Sequence, residues 1–177
     1  REMKLETLLV VVDRSLHELG IVDPLLRFIE QEGIAFTLFD EITHEPTIAE
    51  VDQAIAELNI GSTFDGVIGI GGGSTIDVAK LFAVSGGLDG SVKKYVGTNL
   101  IETPGVPMIM LPTTSGTGAE VTPNAIVHDV EEECKIGIVS PHLIPDLVIL
   151  DPELTLSLPP KVPAETVVER RQQVRVV

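Results

Sequence analysis

An α/β fold, with a parallel sheet flanked by helices and a β-hairpin inserted late in the chain, is what this sequence predicts. Three observations carry that expectation. Short unbroken apolar runs recur, the first three are each followed by a segment with helical spacing, and two turns of small residues sit where apolar runs end. A strand buried on both faces reads as a continuous run rather than as an alternation. Repetition of strand and helix requires parallel pairing through right-handed crossovers.

Residues 8–13, LLVVVD, are the first strand. Asp23-Pro24 then predicts an N-cap followed by proline at the first helical position. Leu25, Leu26, Phe28 and Ile29 offer that helix an apolar face, and Gly33 is placed to end it. Residues 35–39 form the second strand. Thr47 with Glu50 three residues later is a capping box, and Val51, Ile55 and Leu58 continue at helical spacing. Residues 66–70 are the third strand, running into Gly71-Gly72-Gly73. Ser74 and Asp77 are predicted to cap the third helix, with Val78, Leu81 and Phe82 turned inward.

After a loop rich in Gly and Asp, residues 108–111 are a fourth strand, which ends at the PTTSGTG turn of residues 112–118. Residues 124–127 and 136–139 read as a hairpin whose turn holds the acidic run from Asp129 to Glu133. Residues 147–150 are the last buried strand, closed by Asp151-Pro152. The series describes a Rossmann-like sheet.

Composition narrows the function classes. A chain of 177 residues buries roughly 70% of its unfolded surface and needs no disulfide or metal to hold a core. With 44% hydrophobic residues and a mean hydropathy of +0.31, it is too apolar for disorder. Its 27 acidic against 12 basic residues, a net charge of −15, argue against nucleic acid, whose phosphates are bound by Lys and Arg. One cysteine, Cys134, fits a reducing compartment. No run approaches the ~18 apolar residues of a membrane span, and the first residues hold no apolar stretch like a signal peptide's. The expectation is an acidic cytoplasmic protein. Residues 161–177 differ in kind, with four basic and two acidic groups against 8 and 25 in the rest.

Gly71-Gly72-Gly73-Ser74 lies where a strand ends and a helix begins. Backbone N–H groups there lack helical partners, the helix dipole is positive, and absent Cβ atoms let a phosphate approach. The alternative is a tight turn that uses glycine only for its dihedral angles. Thr113, Thr114, Ser115 and Thr117 offer hydroxyls at the carboxyl end of another strand, the edge where open parallel sheets bind ligands. Two such turns suit a dinucleotide; ordinary capping hydroxyls are the alternative. Asp13 ends the first strand, where a carboxylate can accept from both ribose hydroxyls and would repel a 2′-phosphate, favouring NAD over NADP. A strand-ending Asx turn is the competing reading. In the usual dinucleotide order the Gly-rich turn follows the first strand and the acid comes later. Here that order is inverted.

Other chemistries find less support. His128, Asp129, Glu131, Glu132, Glu133 and Cys134 cluster on the hairpin turn and read as solvated charge rather than a metal site. His17, His44 and His142 are scattered, no Gly-x-Ser-x-Gly elbow occurs, and Cys134 has no base nearby in sequence.

Four segments together resemble the iron-containing (metal-dependent, group III) alcohol dehydrogenases: FDGVIGIGGGSTIDVAK at 64–80, PTTSGTGAEVT at 112–122, SPHLIPD at 140–146 and DPELTLSLPP at 151–160. They occur in the family's order, and the resemblance runs over residues 7–166. It implies an N-terminal domain that binds NAD(P), a helical C-terminal domain that holds a divalent metal such as iron or zinc, and interconversion of alcohols with aldehydes or ketones by hydride transfer. By position it implies Asp13 at the adenine ribose and Gly72, Gly73, Ser74 and Asp77 around the pyrophosphate. Thr113, Thr114 and Thr117 would line the groove, Asn124 and Lys135 would lie toward the nicotinamide ribose, and Leu154 near the adenine.

Departures from the family pattern shape the rest of the expectation. Glu45 stands where many members have Asn. At the tail, Val167, Glu169 and Gln173 replace the glycine, aspartate and histidine of the family's first metal-ligand helix. Residues 1–160 are therefore expected to be an NAD-binding domain and 161–177 a divergent tail, with the helical metal domain absent and the chain, a truncated one, inactive alone. Uncovered apolar surface would favour self-association or a homo-oligomer. A non-catalytic binding module stays open, as does the related glycerol dehydrogenase or dehydroquinate synthase branch.

Overall fold

In a computed structural model of the chain, residues 4–114, 116–152 and 154 are described. Strand β1, Thr7–Asp13, is the centre of its construction, with Leu8 to Val12 all buried. It is followed by a short helix α1, Arg14–Glu18, then α2, Asp23–Gln31, and β2, Ala35–Ile42. Helices α3, Ile48–Leu58, and α4, Ile60–Thr63, lead to β3, Gly66–Gly71, and α5, Gly73–Val84. The two-residue strand β4, Gly97–Thr98, precedes β5, Met108–Pro112; β6, Asn124–Asp129, and β7, Cys134–Val139, form the hairpin; and β8, Leu147–Val148, comes last among the described residues.

The main sheet has the order β2-β1-β3-β5-β8, and every pairing in it is parallel. A smaller sheet, β4-β7-β6, carries the predicted hairpin with Ala125 paired to Ile138 and Val127 to Ile136. The chain runs from β1 to β2 on one side and then returns past β1 to β3. Right-handed crossovers therefore place the intervening helices on opposite faces. The two cores confirm this. Leu9, Val11 and Val67 pack with Val51, Ile76, Val78 and Phe82, whereas Leu8, Val10, Val12 and Ile68 pack with Leu16, Val22 and Ile29. The chain thus switches direction at β1 and β3, where a ligand crevice belongs.

Local chemistry explains most boundaries. At α3 the capping box forms as expected: Thr47 Oγ1 accepts from the Glu50 N–H at 3.2 Å, and Glu50 Oε2 accepts from the Thr47 N–H at 2.9 Å. Gly33 ends α2 at φ +74°, a conformation a side chain would resist.

Several expectations need correction. Asp23 is the first residue of α2 and caps nothing, since Val22 holds the N-cap position. Phe28 is 57% exposed rather than packed; the buried residue of that helix is Ile29. Neither Ser74 nor Asp77 caps α5: its N-cap is Gly72, with no side-chain cap. The strand expected at 147–150 is the two-residue β8, at the edge of the sheet among the described residues, with Leu147 exposed and Ile149 and Leu150 exposed beyond it. Asp129 is not solvated charge. It is buried, paired with Lys93 Nζ at 3.0 Å, and it accepts from the Glu131 N–H at 3.0 Å. The Lys93 ammonium holds its carboxyl below the usual range. Glu131, Glu132 and Glu133 remain exposed.

Candidate dinucleotide groove

Parallel pairing brings the ends of β1 and β3 side by side, with Val12 opposite Ile70. Asp13 and the Gly71–Gly73 turn are thereby neighbours although nearly sixty residues separate them. The inverted order of acid and glycines in the sequence is thus the natural result of β3, not β2, lying beside β1 on the glycine side. Asp13, Gly72, Gly73, Ser74, Thr75 and Lys135, with residues 42–45, line a cavity of ≈ 350 Å³ at this edge.

Asp13 is half-exposed on one wall. Its Oδ1 accepts from the Ser15 N–H at 2.9 Å and from the Ser15 hydroxyl, so the Asx turn at the start of α1 forms. That bond engages one carboxylate oxygen and orients the group; the turn and a ligand role are compatible. The opposite wall is the N-terminus of α5, a helix of 12 residues whose first turn no side chain caps. Its N–H dipoles and positive end face the cavity.

The two small-residue turns touch. A Cβ at Gly73 would come within 2.8 Å of Thr117 Cγ2, and one at Gly72 within 3.5 Å of Thr114. The glycine at 73 is thus demanded by the Thr117 side chain, not only by access for a phosphate. Thr113 is buried and its N–H donates to Gly71 O at 2.9 Å, which extends the β3–β5 ladder into the turn. Ser115 lies outside the described residues.

Asp77 does not line this cavity. It lies one turn further along α5, buried, with Oδ2 accepting from the Ile126 N–H at 3.1 Å and Oδ1 without a hydrogen-bond partner. Lys80, fully buried, donates from Nζ to Thr122 O at 2.8 Å and Asn124 O at 2.9 Å, and stands 4.0 Å from Asp77 Oδ1. The two side chains dress the outer edge of β6, which would otherwise present unpaired backbone groups to an apolar helix. Burial raises the Asp77 pKa to about 7 against the pull of Lys80 and the Ile126 N–H. Burial likewise lowers Lys80 to about 8, opposed by Asp77 and Glu120. Lys80 went unnoticed in the sequence, though a charge amid Ile76, Val78, Ala79, Leu81 and Phe82 signals a buried partner.

Asn124 begins β6, where its carbonyl takes the Lys80 bond. Lys135, on β7, reaches the cavity and pairs with Glu45 Oε1 at 2.8 Å. Leu154 packs against the core that holds Leu8 and Val12. Among the described residues no group of three or more His, Cys, Asp or Glu side chains could hold a metal ion. Val167, Glu169, Gln173 and the expected division at residue 160 lie outside the described residues. No described helix is long and apolar enough to cross a membrane.

Comparison with known proteins agrees with this geometry. The model of the family described as iron-containing alcohol dehydrogenase matches residues 1–152. Long-chain-alcohol dehydrogenase 1 of Geobacillus thermodenitrificans (strain NG80-2) is 41% identical over 162 residues, covering 90% of this chain and 40% of that protein. The structure of a 1,3-propanediol oxidoreductase superposes with a TM-score of 0.83 at 29% identity, over 92% of this chain and 42% of that one. A sulfoacetaldehyde reductase from Bifidobacterium kashiwanohense, crystallised in complex with NAD+, superposes with a TM-score of 0.78 at 32% identity, over 92% and 43%. The chain spans about 40% of the length of the curated relatives it matches. By sequence and by fold, this chain belongs to the iron-containing alcohol dehydrogenase family.

Proposed function

We propose that residues 1–160 form the NAD(H)-binding half of a metal-dependent alcohol dehydrogenase, and that the family's conversion of alcohols to aldehydes or ketones is the activity this half serves. One observation carries the reading: an uncapped 12-residue helix N-terminus faces Asp13 across a cavity of ≈ 350 Å³ at the switch point of a parallel sheet. NAD, when bound, accepts or donates the hydride. The chain's own residues would hold it. The N–H groups of Gly73 and Ser74 would meet the pyrophosphate, and Asp13, oriented by Ser15, would accept from the adenine ribose hydroxyls and repel a 2′-phosphate. Thr113, Thr114 and Thr117 would shape the far wall, with Asn124 and Lys135 toward the nicotinamide ribose and Leu154 toward the adenine. Asp77 would act from beneath, through β6. The described residues do not fit a metal ion, so no metal step is assigned to them.

Calorimetric titration of the chain with NADH, with NADPH alongside, tests the proposal. Micromolar binding of NADH, weaker binding of NADPH and loss of that preference in Asp13→Ala are expected. A folded chain that binds neither nucleotide would refute it. The exposed apolar edge of Ile144, Leu147, Ile149 and Leu150 supports self-association as well, and light scattering across a concentration series reads it.

A further inference from the structure

We propose that Glu45 is a counter-ion latch on Lys135, a positioning residue whose grip the phosphates of an incoming dinucleotide must displace. The inference rests on the NAD(H) reading above and concerns what sets the affinity of the groove.

Both residues line the cavity, Glu45 from the segment that follows β2 and Lys135 from β7. The fold brings them together through the backbone. Pro46, next to Glu45, is buried, and its carbonyl accepts from the His128 N–H at 2.8 Å. His128 is in turn paired with Lys135 across the hairpin. The carbonyl of Glu45 is also held, 2.9 Å from His44 Nδ1. With both backbones tied to one hairpin, the carboxylate and ammonium meet at 2.8 Å without a long search by either side chain.

Charge makes the contact consequential. Among the described residues lining the cavity Lys135 is the single Lys or Arg, beside the carboxylates of Asp13 and Glu45. A dinucleotide brings two negative phosphates into the cavity that this cation lines, within its electrostatic reach. Glu45 neutralises Lys135, so binding has to exchange one anion for another. The pair stays partly exposed, with Lys135 at 59% and Glu45 at 36% of their side-chain surface, so water can receive the released carboxylate. The cost of the exchange is correspondingly modest and sensitive to salt.

NADH fluorescence titration of wild type, Glu45→Gln, Lys135→Met and the double variant, at about 20 mM and about 500 mM salt, tests this, with inorganic pyrophosphate as competitor. Glu45→Gln should tighten NADH about 2–5-fold at low salt and less at high salt, because it removes an exposed ion pair that opposes binding. In the Lys135→Met background the same change should have little effect, the non-additivity expected of two groups in contact. Pyrophosphate should compete better in Glu45→Gln than in wild type. NADH binding that is equal in wild type and Glu45→Gln overturns the latch and leaves the NAD(H) reading standing. A gain undiminished in Lys135→Met also overturns it, since Glu45 would then act by repulsion without holding Lys135. Failure of every variant to bind NADH overturns both readings.

Discussion

Lys80→Met tests the tether between α5 and the hairpin, because methionine preserves much of the length of the side chain and removes its charge. In the native structure Lys80 Nζ is fully buried and bonds to the carbonyls of Thr122 and Asn124 at 2.8 and 2.9 Å. Methionine leaves two part-buried acceptors without the Lys80 donor. At about 1–3 kcal/mol for each unsatisfied group, and allowing for the Lys desolvation cost that is relieved, the loss is about 2–4 kcal/mol. A second contribution depends on pH. Below pH 7, Asp77 already holds a proton and loses little when the ammonium disappears. At pH 8 it must take up that proton for want of a partner, which adds about 1.4 kcal/mol for each unit above its native value. Urea unfolding followed by circular dichroism at pH 5.5 and pH 8 measures both parts. The variant should lose about 2–4 kcal/mol at pH 5.5 and about 1–2 kcal/mol more at pH 8. That is a large share of the 5–15 kcal/mol typical of a domain. In the Lys80→Met/Asp77→Asn double variant the pH-dependent part should vanish and the rest remain. A loss below about 1 kcal/mol at pH 5.5 would refute the tether; equal losses at both pH values in Lys80→Met would refute the buried carboxyl as the source of the second part.

Asp77 also predicts a pH slope in the native protein. Its folded pKa, about 7, lies above the ordinary carboxylate value of 3.8, so between pH 4 and 7 the folded state keeps a proton that the unfolded chain releases. This contribution is fully present below pH 4 and is lost as pH rises through 7, and Asp77→Asn should remove it; identical stability–pH slopes in the two proteins would count against it. Lys80, lowered to about 8, works in the opposite direction, adding stability as pH rises from about 8 toward 10.5. Gly69→Ala should cost about 1–3 kcal/mol by overpacking, since its Cβ would lie 2.6 Å from Met110 Sδ and 2.8 Å from Ala79 Cβ, whereas Gly137→Ala, with nothing within 4 Å, should be nearly neutral. Equal thermal stability of the two variants would contradict the close seating of α5 on β3.

Much of this architecture is legible from local chemistry. The LLVVV run at 8–12 is apolar at every position because β1 is covered on both faces, and the Thr47–Glu50 box marks α3 because its bonds form within one turn of chain. What escaped the sequence is short or non-local. Helix α1 has five residues and β4 two, too few for a period to show. Ser74 and Asp77 have the chemistry of caps, yet glycine at position 72 needs no side chain to start α5, and the burial of nearly all of that helix draws Asp77 to β6 instead. Asp129 looked like its neighbours in an acidic turn; Lys93, 36 residues away, distinguishes it.

The sequence alone determined the alternation of strands and helices, the two turns of small residues and the family likeness, because these depend on residues close together in the chain. Tertiary structure decided which of those pieces meet. Placing β3 beside β1 brings Asp13 to the Gly72–Ser74 turn, the Thr117 side chain occupies the space a Cβ on Gly73 would take, and the stitch from Pro46 to His128 sets Glu45 against Lys135. Those meetings follow from sheet order and burial, and sheet order is chosen by the packing of whole faces, which no local pattern of residues encodes.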